Sequence, residues 1–187
     1  MLKVLYFWKS LNNLMLEKLF LFALMAPCLI ACKHENNSNP TFKDAQVLTF
    51  QSNDPSQFIE EIITNADGKV IYIDNWATWC GPCKSEFKKA SPALHDKFKD
   101  QVEFVYLCHQ SKETDFMPSV LNYEISGKHY FLQEEQSRPI FKQIQLEGFP
   151  TYTIINKKGE IVLSDYIHRP SNIKTSEILT ELINENI

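Results

Sequence analysis

The stretch DNWATWCGPC, residues 74–83, sets two cysteines three positions apart, with only Gly81 and Pro82 between them and Trp79 immediately before. Such a pair serves as a metal clamp, a structural staple or a reversible redox couple. A tetrahedral metal site needs four ligands, usually two Cys or His pairs at short spacing. This chain offers one such pair, and His95, His109, His129 and His168 stand singly, so no metal is expected. A permanent staple gains little from so small a loop, because closing it removes little entropy from the unfolded chain. Reversible dithiol chemistry is the reading that suits the spacing.

The flanking residues place the pair. KVIYIDNW, residues 69–76, is β-branched and aromatic, as expected of a strand buried on both faces of a sheet. From Pro82 to about Lys99 the pattern is helical, with Pro92 placed to kink it, so Cys80 stands where unpaired backbone N–H groups and the positive end of the helix favour a thiolate. Cys83 lies one turn later and deeper. Cys80 is therefore expected to attack and Cys83 to resolve. VEFVYLC, residues 102–108, is a second buried strand, and strand, helix, strand at these lengths makes a βαβ unit with parallel strands.

Further out, Asp54 caps a helix that opens with Pro55, presents Phe58, Ile59, Ile62 and Ile63 on one face, and ends at Asn65-Ala66-Asp67-Gly68. Between residues 109 and 147 the pattern predicts a short helix near Glu113 to Asn122, an extended GKHYFL piece, and a helix from about Pro139 to Gln145. TYTIIN and EIVLSD, joined through Gly159, read as a β-hairpin. Ser171 or Asn172 caps a last helix with Ile178, Leu179, Leu182 and Ile183 on its inner face. Repeats and low-complexity tracts are lacking.

With 187 residues, 44% hydrophobic and 22% charged, the chain fits one globular domain. Its net charge of −4 gives no basic surplus, so nucleic acid is not an expected partner. The N-terminal part differs: Leu19 to Ala31 is an apolar run preceded by Lys3, Lys9 and Lys18, too short for the roughly 20 residues of a membrane-spanning helix. It reads as a secretion signal. The run ends LIAC, which resembles a bacterial lipobox; the resemblance implies lipidation of Cys32 and loss of residues 1–31. Met15 serves as an alternative start. KHENNSNPTFKDAQ then reads as a flexible tether over residues 32–46, with the folded domain at 47–187. Of the five cysteines, Cys80, Cys83 and Cys108 remain for the domain, and Cys108 reads as a buried strand residue.

WCGPC after a buried strand and before a helix resembles the thioredoxin fold. Asp74, six residues before Cys80, matches a buried aspartate of that family, and GFPT at 148–151 resembles its cis-proline loop. The lipobox, the long segment before GFPT, CGPCKSEF with Glu86, and HRPS at 168–171 are similar to the TlpA-like branch of exported, often membrane-tethered thiol-disulfide oxidoreductases. The expected fold class is α/β, a central mixed β-sheet flanked by helices, with an insertion between the βαβ unit and the cis-proline loop.

The resemblance implies a cis Pro150 beside the sulfurs, the backbone of Phe149 free to pair with an extended substrate, and Trp79, Gly81 and Pro82 on the contact rim. It also implies a cycle in which Asp74 takes the Cys83 proton. Bland alternatives stand beside each role: a turn proline at 150, a core Trp79, an Asp74 hydrogen-bonded at a strand end, and a solvated helix face for Lys84 and Glu86. The expected partners are disulfide-containing proteins, a membrane-embedded thiol electron donor and, through the lipid, a membrane; no cofactor is expected. The Gly-Pro dipeptide matches the reducing end of the family. An oxidase or isomerase of the same fold, or a non-catalytic binding lipoprotein, is the competing function. Peroxiredoxin and copper-chaperone motifs do not fit the spacing.

Overall fold

Six strands form one sheet in the computed structural model, which describes residues 44–186. They are β1 (Ala45–Leu48), β2 (Val70–Trp76), β3 (Val102–Cys108), β4 (Gly127–Phe131), β5 (Thr151–Ile155) and β6 (Ile161–Asp165), in the spatial order β1-β4-β3-β2-β5-β6. β1, β4, β3 and β2 run parallel, and β5 and β6 are antiparallel additions. Six helices flank the sheet: α1 (Phe58–Asn65), α2 (Gly81–Lys89), α3 (Ser91–Phe98), α4 (Glu113–Tyr123), α5 (Glu134–Gln143) and α6 (Ile173–Asn184). The expected mixed sheet with flanking helices is the one observed. Cys32, the signal and nearly all of the tether lie outside the described residues.

All seven residues of β2 are buried because the strand is central and covered on both faces. Strand alternation sends Val70, Tyr72 and Trp76 into one core with Phe87 of α2, Phe98 of α3 and Leu179 of α6. Ile71 and Ile73 enter the other, with Phe58 and Ile62 of α1 and Ile140 of α5. Asp74 and Asn75, adjacent polar residues in this strand, consequently point to opposite faces.

Several sequence signals act as read. Asp54 accepts from the Ser56 backbone N–H at 3.0 Å, ahead of a 3₁₀ turn at Pro55–Gln57 that leads into α1. Asp67 and Gly68 take positive φ after α1, Gly159 has φ of 82° in the hairpin, and Asn172 caps α6.

Two helices differ from expectation. The single helix read from Pro82 to Lys99 is two, α2 and α3, interrupted at Ala90, whose φ of −136° is not helical. Pro92 has no N–H to return to the carbonyl one turn earlier, and its ring crowds that turn. The helix expected from Pro139 begins instead at Glu134 and carries Pro139 inside. A capping box explains the earlier start: Gln136 accepts from the Gln133 N–H at 2.9 Å, and Gln133 in return accepts from the backbone of Gln136. Gln145, at φ of 53°, lies past its end.

The insertion supplies an interior strand. GKHYFL enters the sheet as β4 between β1 and β3. Gly127 permits the entry, with φ of 128° and a position where a Cβ would stand 2.8 Å from the Phe104 carbonyl oxygen. No helix among the described residues is long and apolar enough to cross a membrane.

Candidate active site

Cys80 is the N-cap of α2 and forms a disulfide with Cys83, their Cα atoms 5.4 Å apart. The Cys83 N–H points at the Cys80 sulfur, 3.2 Å away, so the first turn of the helix already aims a donor at the atom that would carry thiolate charge. Both sulfur-bearing residues are buried in this state, Cys80 at 3% exposure and Cys83 at 0%. Gly81 and Pro82 between them are exposed. Cys83 and Phe87 anchor the helix in the core, while its opening faces solvent.

The peptide bond between Phe149 and Pro150 is cis. Pro150 and Pro82 line one open groove with Glu86, Phe149, Tyr166 and Arg169. Trp79, 61% exposed, donates its ring N–H to the Gln110 carbonyl at 2.7 Å and meets Phe149 edge-on at 5.8 Å. The structure therefore sets Pro82, Phe149 and Pro150 along one groove, with Trp79 against Phe149, and Trp79 is exposed rather than a core residue. Thr151 closes the proline loop by donating from its hydroxyl to the Gly148 carbonyl at 2.7 Å.

Asp74 lies within β2, on the face that carries Cys83. It is fully buried, and neither carboxylate oxygen has a hydrogen-bond partner among the described residues, so it is not an aspartate satisfied at a strand end. Burial raises its pKa well above the ordinary carboxylate value, and the charge of Glu86 adds to the shift. Tyr152, its partner across β5, is also buried with an unpaired hydroxyl.

Glu86 does not belong to a solvated helix face. Its side chain is only 13% exposed, and its two oxygens accept from the Ser171 N–H and hydroxyl, each at 2.8 Å, with Arg169 at 3.9 Å. Two sequence features 85 residues apart, CGPCKSEF and HRPS, thus form one clamp beside the groove. Cys108 is fully buried and unpaired by disulfide, its thiol pushed up to about 12 by burial, which leaves it inert as a nucleophile near neutrality.

Sequence reasoning passed over Asn75, His109 and Ser137, which form a buried polar chain behind the proline loop. A signal existed: Asn75, next to Asp74 in an apolar strand, faces the opposite side, where a buried amide calls for partners.

A family model described as thioredoxin-like matches residues 68–161. The thiol-disulfide oxidoreductase ResA of Bacillus subtilis is 27% identical over 135 residues, covering 66% of this chain and 71% of that protein. The ResA of Bacillus thuringiensis is 29% identical over 97 residues, and there the match covers 51% of this chain and 53% of the relative. Among solved structures, a thiol-disulfide oxidoreductase from Bacteroides vulgatus superposes with a TM-score of 0.55 at 28% identity, over 65% of this chain and 78% of that one. The thioredoxin domain of another oxidoreductase of that organism superposes with a TM-score of 0.57 at 18% identity, over 65% and 84%.

Proposed function

Since this chain belongs to the thioredoxin-like family, we propose that it is a thiol-disulfide oxidoreductase that reduces protein disulfides through Cys80 and Cys83, exported and held to a membrane by lipid on Cys32. One observation carries the chemistry: a Cys80–Cys83 disulfide at the mouth of a helix, beside a groove formed with a cis-proline.

In the reduced protein the Cys80 thiolate attacks one sulfur of a substrate disulfide. A mixed disulfide forms and the other substrate sulfur leaves as thiolate. Cys83 gives its proton to the Asp74 carboxylate, whose raised pKa makes it the stronger base. The Cys83 thiolate then attacks Cys80, the second substrate sulfur leaves, and two electrons have passed from the dithiol to the substrate. Trp79, Gly81 and Pro82 form the rim that the substrate touches, and the Phe149 backbone next to Pro150 pairs with its extended chain. A membrane-embedded thiol donor returns the electrons.

Reduction is favoured over oxidation by the Gly-Pro dipeptide between the sulfurs. The purified domain is expected to reduce insulin with dithiothreitol as donor, and to equilibrate with glutathione toward the −270 mV end of the range from about −270 to about −120 mV. Equilibration near the oxidising end overturns the direction, and no insulin reduction overturns the activity.

A further inference from the structure

His109 follows β3 directly, and its ring is buried between α5 and the loop that carries Pro150. Nδ1 lies 2.9 Å from the Ser137 hydroxyl on α5, and Nε2 lies 3.1 Å from Asn75 Oδ1 on β2. Asn75 donates from Nδ2 to the carbonyl of Thr151, the residue after Pro150, at 3.0 Å, with Thr153 Oγ1 at 3.4 Å.

These partners dictate the hydrogens. The Thr151 carbonyl only accepts, so the Asn75 amide nitrogen must face it and Oδ1 must face the imidazole. A flipped amide would set oxygen against oxygen. Nε2 therefore carries a hydrogen and donates to Asn75. Burial lowers the His109 pKa to about 3, so the ring is neutral and Nδ1 is left as an acceptor facing the Ser137 hydroxyl, whose one hydrogen is shared with the Gln133 carbonyl at 3.1 Å. Donor to acceptor, the chain runs from His109 through Asn75 to Thr151, and Ser137 joins it to α5. A second set of contacts runs parallel to it. The His109 ring stacks on Phe149 at 5.7 Å and 17°, and Phe149 also meets Phe141 of α5 at 6.2 Å and Trp79 at 5.8 Å.

We propose that His109, protonated on Nε2, is a positioning residue that ties α5 to the Phe149–Pro150 edge of the groove and so sets affinity for disulfide-bearing peptides, without acting on the sulfurs. The inference rests on the oxidoreductase reading. Among the described residues the His109 ring hydrogen-bonds to Ser137 and Asn75 and stacks on Phe149, and it acts through Phe149 and Thr151.

Three variants test it. His109→Phe keeps the ring and removes both hydrogen bonds, Ser137→Ala removes the donor to Nδ1, and His109→Gln offers one donor and one acceptor without the ring. KM and kcat are measured with a synthetic peptide containing one intramolecular disulfide, and the alkylation rate of reduced Cys80 with iodoacetamide. His109→Phe is expected to raise KM about five- to tenfold, and Ser137→Ala about twofold, with kcat and alkylation within about twofold of the parent. His109→Gln is expected to fall between His109→Phe and the parent. A merely structural role would move KM, kcat and alkylation together, and that result overturns the proposal. So does an unchanged KM in folded His109→Phe; should that variant not fold, an unchanged KM in both Ser137→Ala and His109→Gln does the same.

If the parent protein reduces no peptide disulfide, the activity reading fails separately. The tie is then judged by hydrogen exchange of the amides of residues 148–153, expected to speed up about tenfold in the variants while those of α3 hold. Unchanged exchange overturns it.

Discussion

Asp74 is buried with no hydrogen-bond partner for either oxygen among the described residues, and its pKa is raised chiefly by desolvation. The raised value fixes a sign. Below the ordinary value of 3.8 both folded and unfolded chains hold the proton, and nothing is lost. As pH rises toward the folded value, the unfolded chain releases its proton first and the fold loses stability. Asp74→Asn abolishes that loss while removing the proton acceptor for Cys83. Urea denaturation at pH 8 is expected to show a gain of about 1–3 kcal/mol. Peptide-disulfide turnover is expected to drop about ten- to hundredfold, the low side of what a positioned base contributes. Undiminished turnover would remove Asp74 from the mechanism.

At the scale of elements, the central strands were legible; β1, whose Ala45 and Gln46 read as tether, and the helix limits were not. KVIYIDNW and VEFVYLC announce buried strands by composition alone, and β2 and β3 occupy those segments. The effect of a proline depends on where the helix starts. Pro92 separates α2 from α3, whereas Pro139 is carried inside α5 once the capping box at Gln133 has set an earlier start. β4 depends on one residue. Gly127 holds φ of 128°, and an added Cβ would stand 2.8 Å from the Phe104 carbonyl oxygen and 2.9 Å from the Tyr106 ring. Gly127→Ala is expected to cost about 2–4 kcal/mol, combining backbone strain with a clash against backbone that has no room to yield. A loss under about 0.5 kcal/mol would mean that the strand entry relaxes around the methyl group.

At the scale of the molecule, stability answers to pH from both sides. Burial holds His109 at about 3 and His129 at about 4, both below the ordinary 6.5. As pH falls below 6.5 the unfolded histidines take up protons that the folded ones refuse, so stability falls toward pH 4. Each histidine contributes a slope approaching about 1.4 kcal/mol per pH unit. Asp74 has the opposite sign and acts over the same interval, since its loss begins above 3.8. With Asp74 replaced by Asn to remove the opposing slope, a urea series from pH 4.5 to 6.5 is expected to show rising stability, and His129→Phe to make that rise shallower. A flat profile would mean that the imidazoles are not held neutral in the fold.

The residues alone pointed to dithiol chemistry and to the class of fold: a tight cysteine pair at a strand-to-helix junction, two apolar strands at βαβ spacing, and a hairpin before a last amphipathic helix are local patterns, each visible within about 40 residues. Tertiary structure decided what surrounds the sulfurs. Glu86 meets Ser171, and His109 joins Ser137 to Asn75 and Thr151, only after the sheet has formed. Sequence periodicity records which face a side chain takes, but a buried hydrogen bond between distant segments depends on register and helix docking, and neither is written in any one stretch of chain.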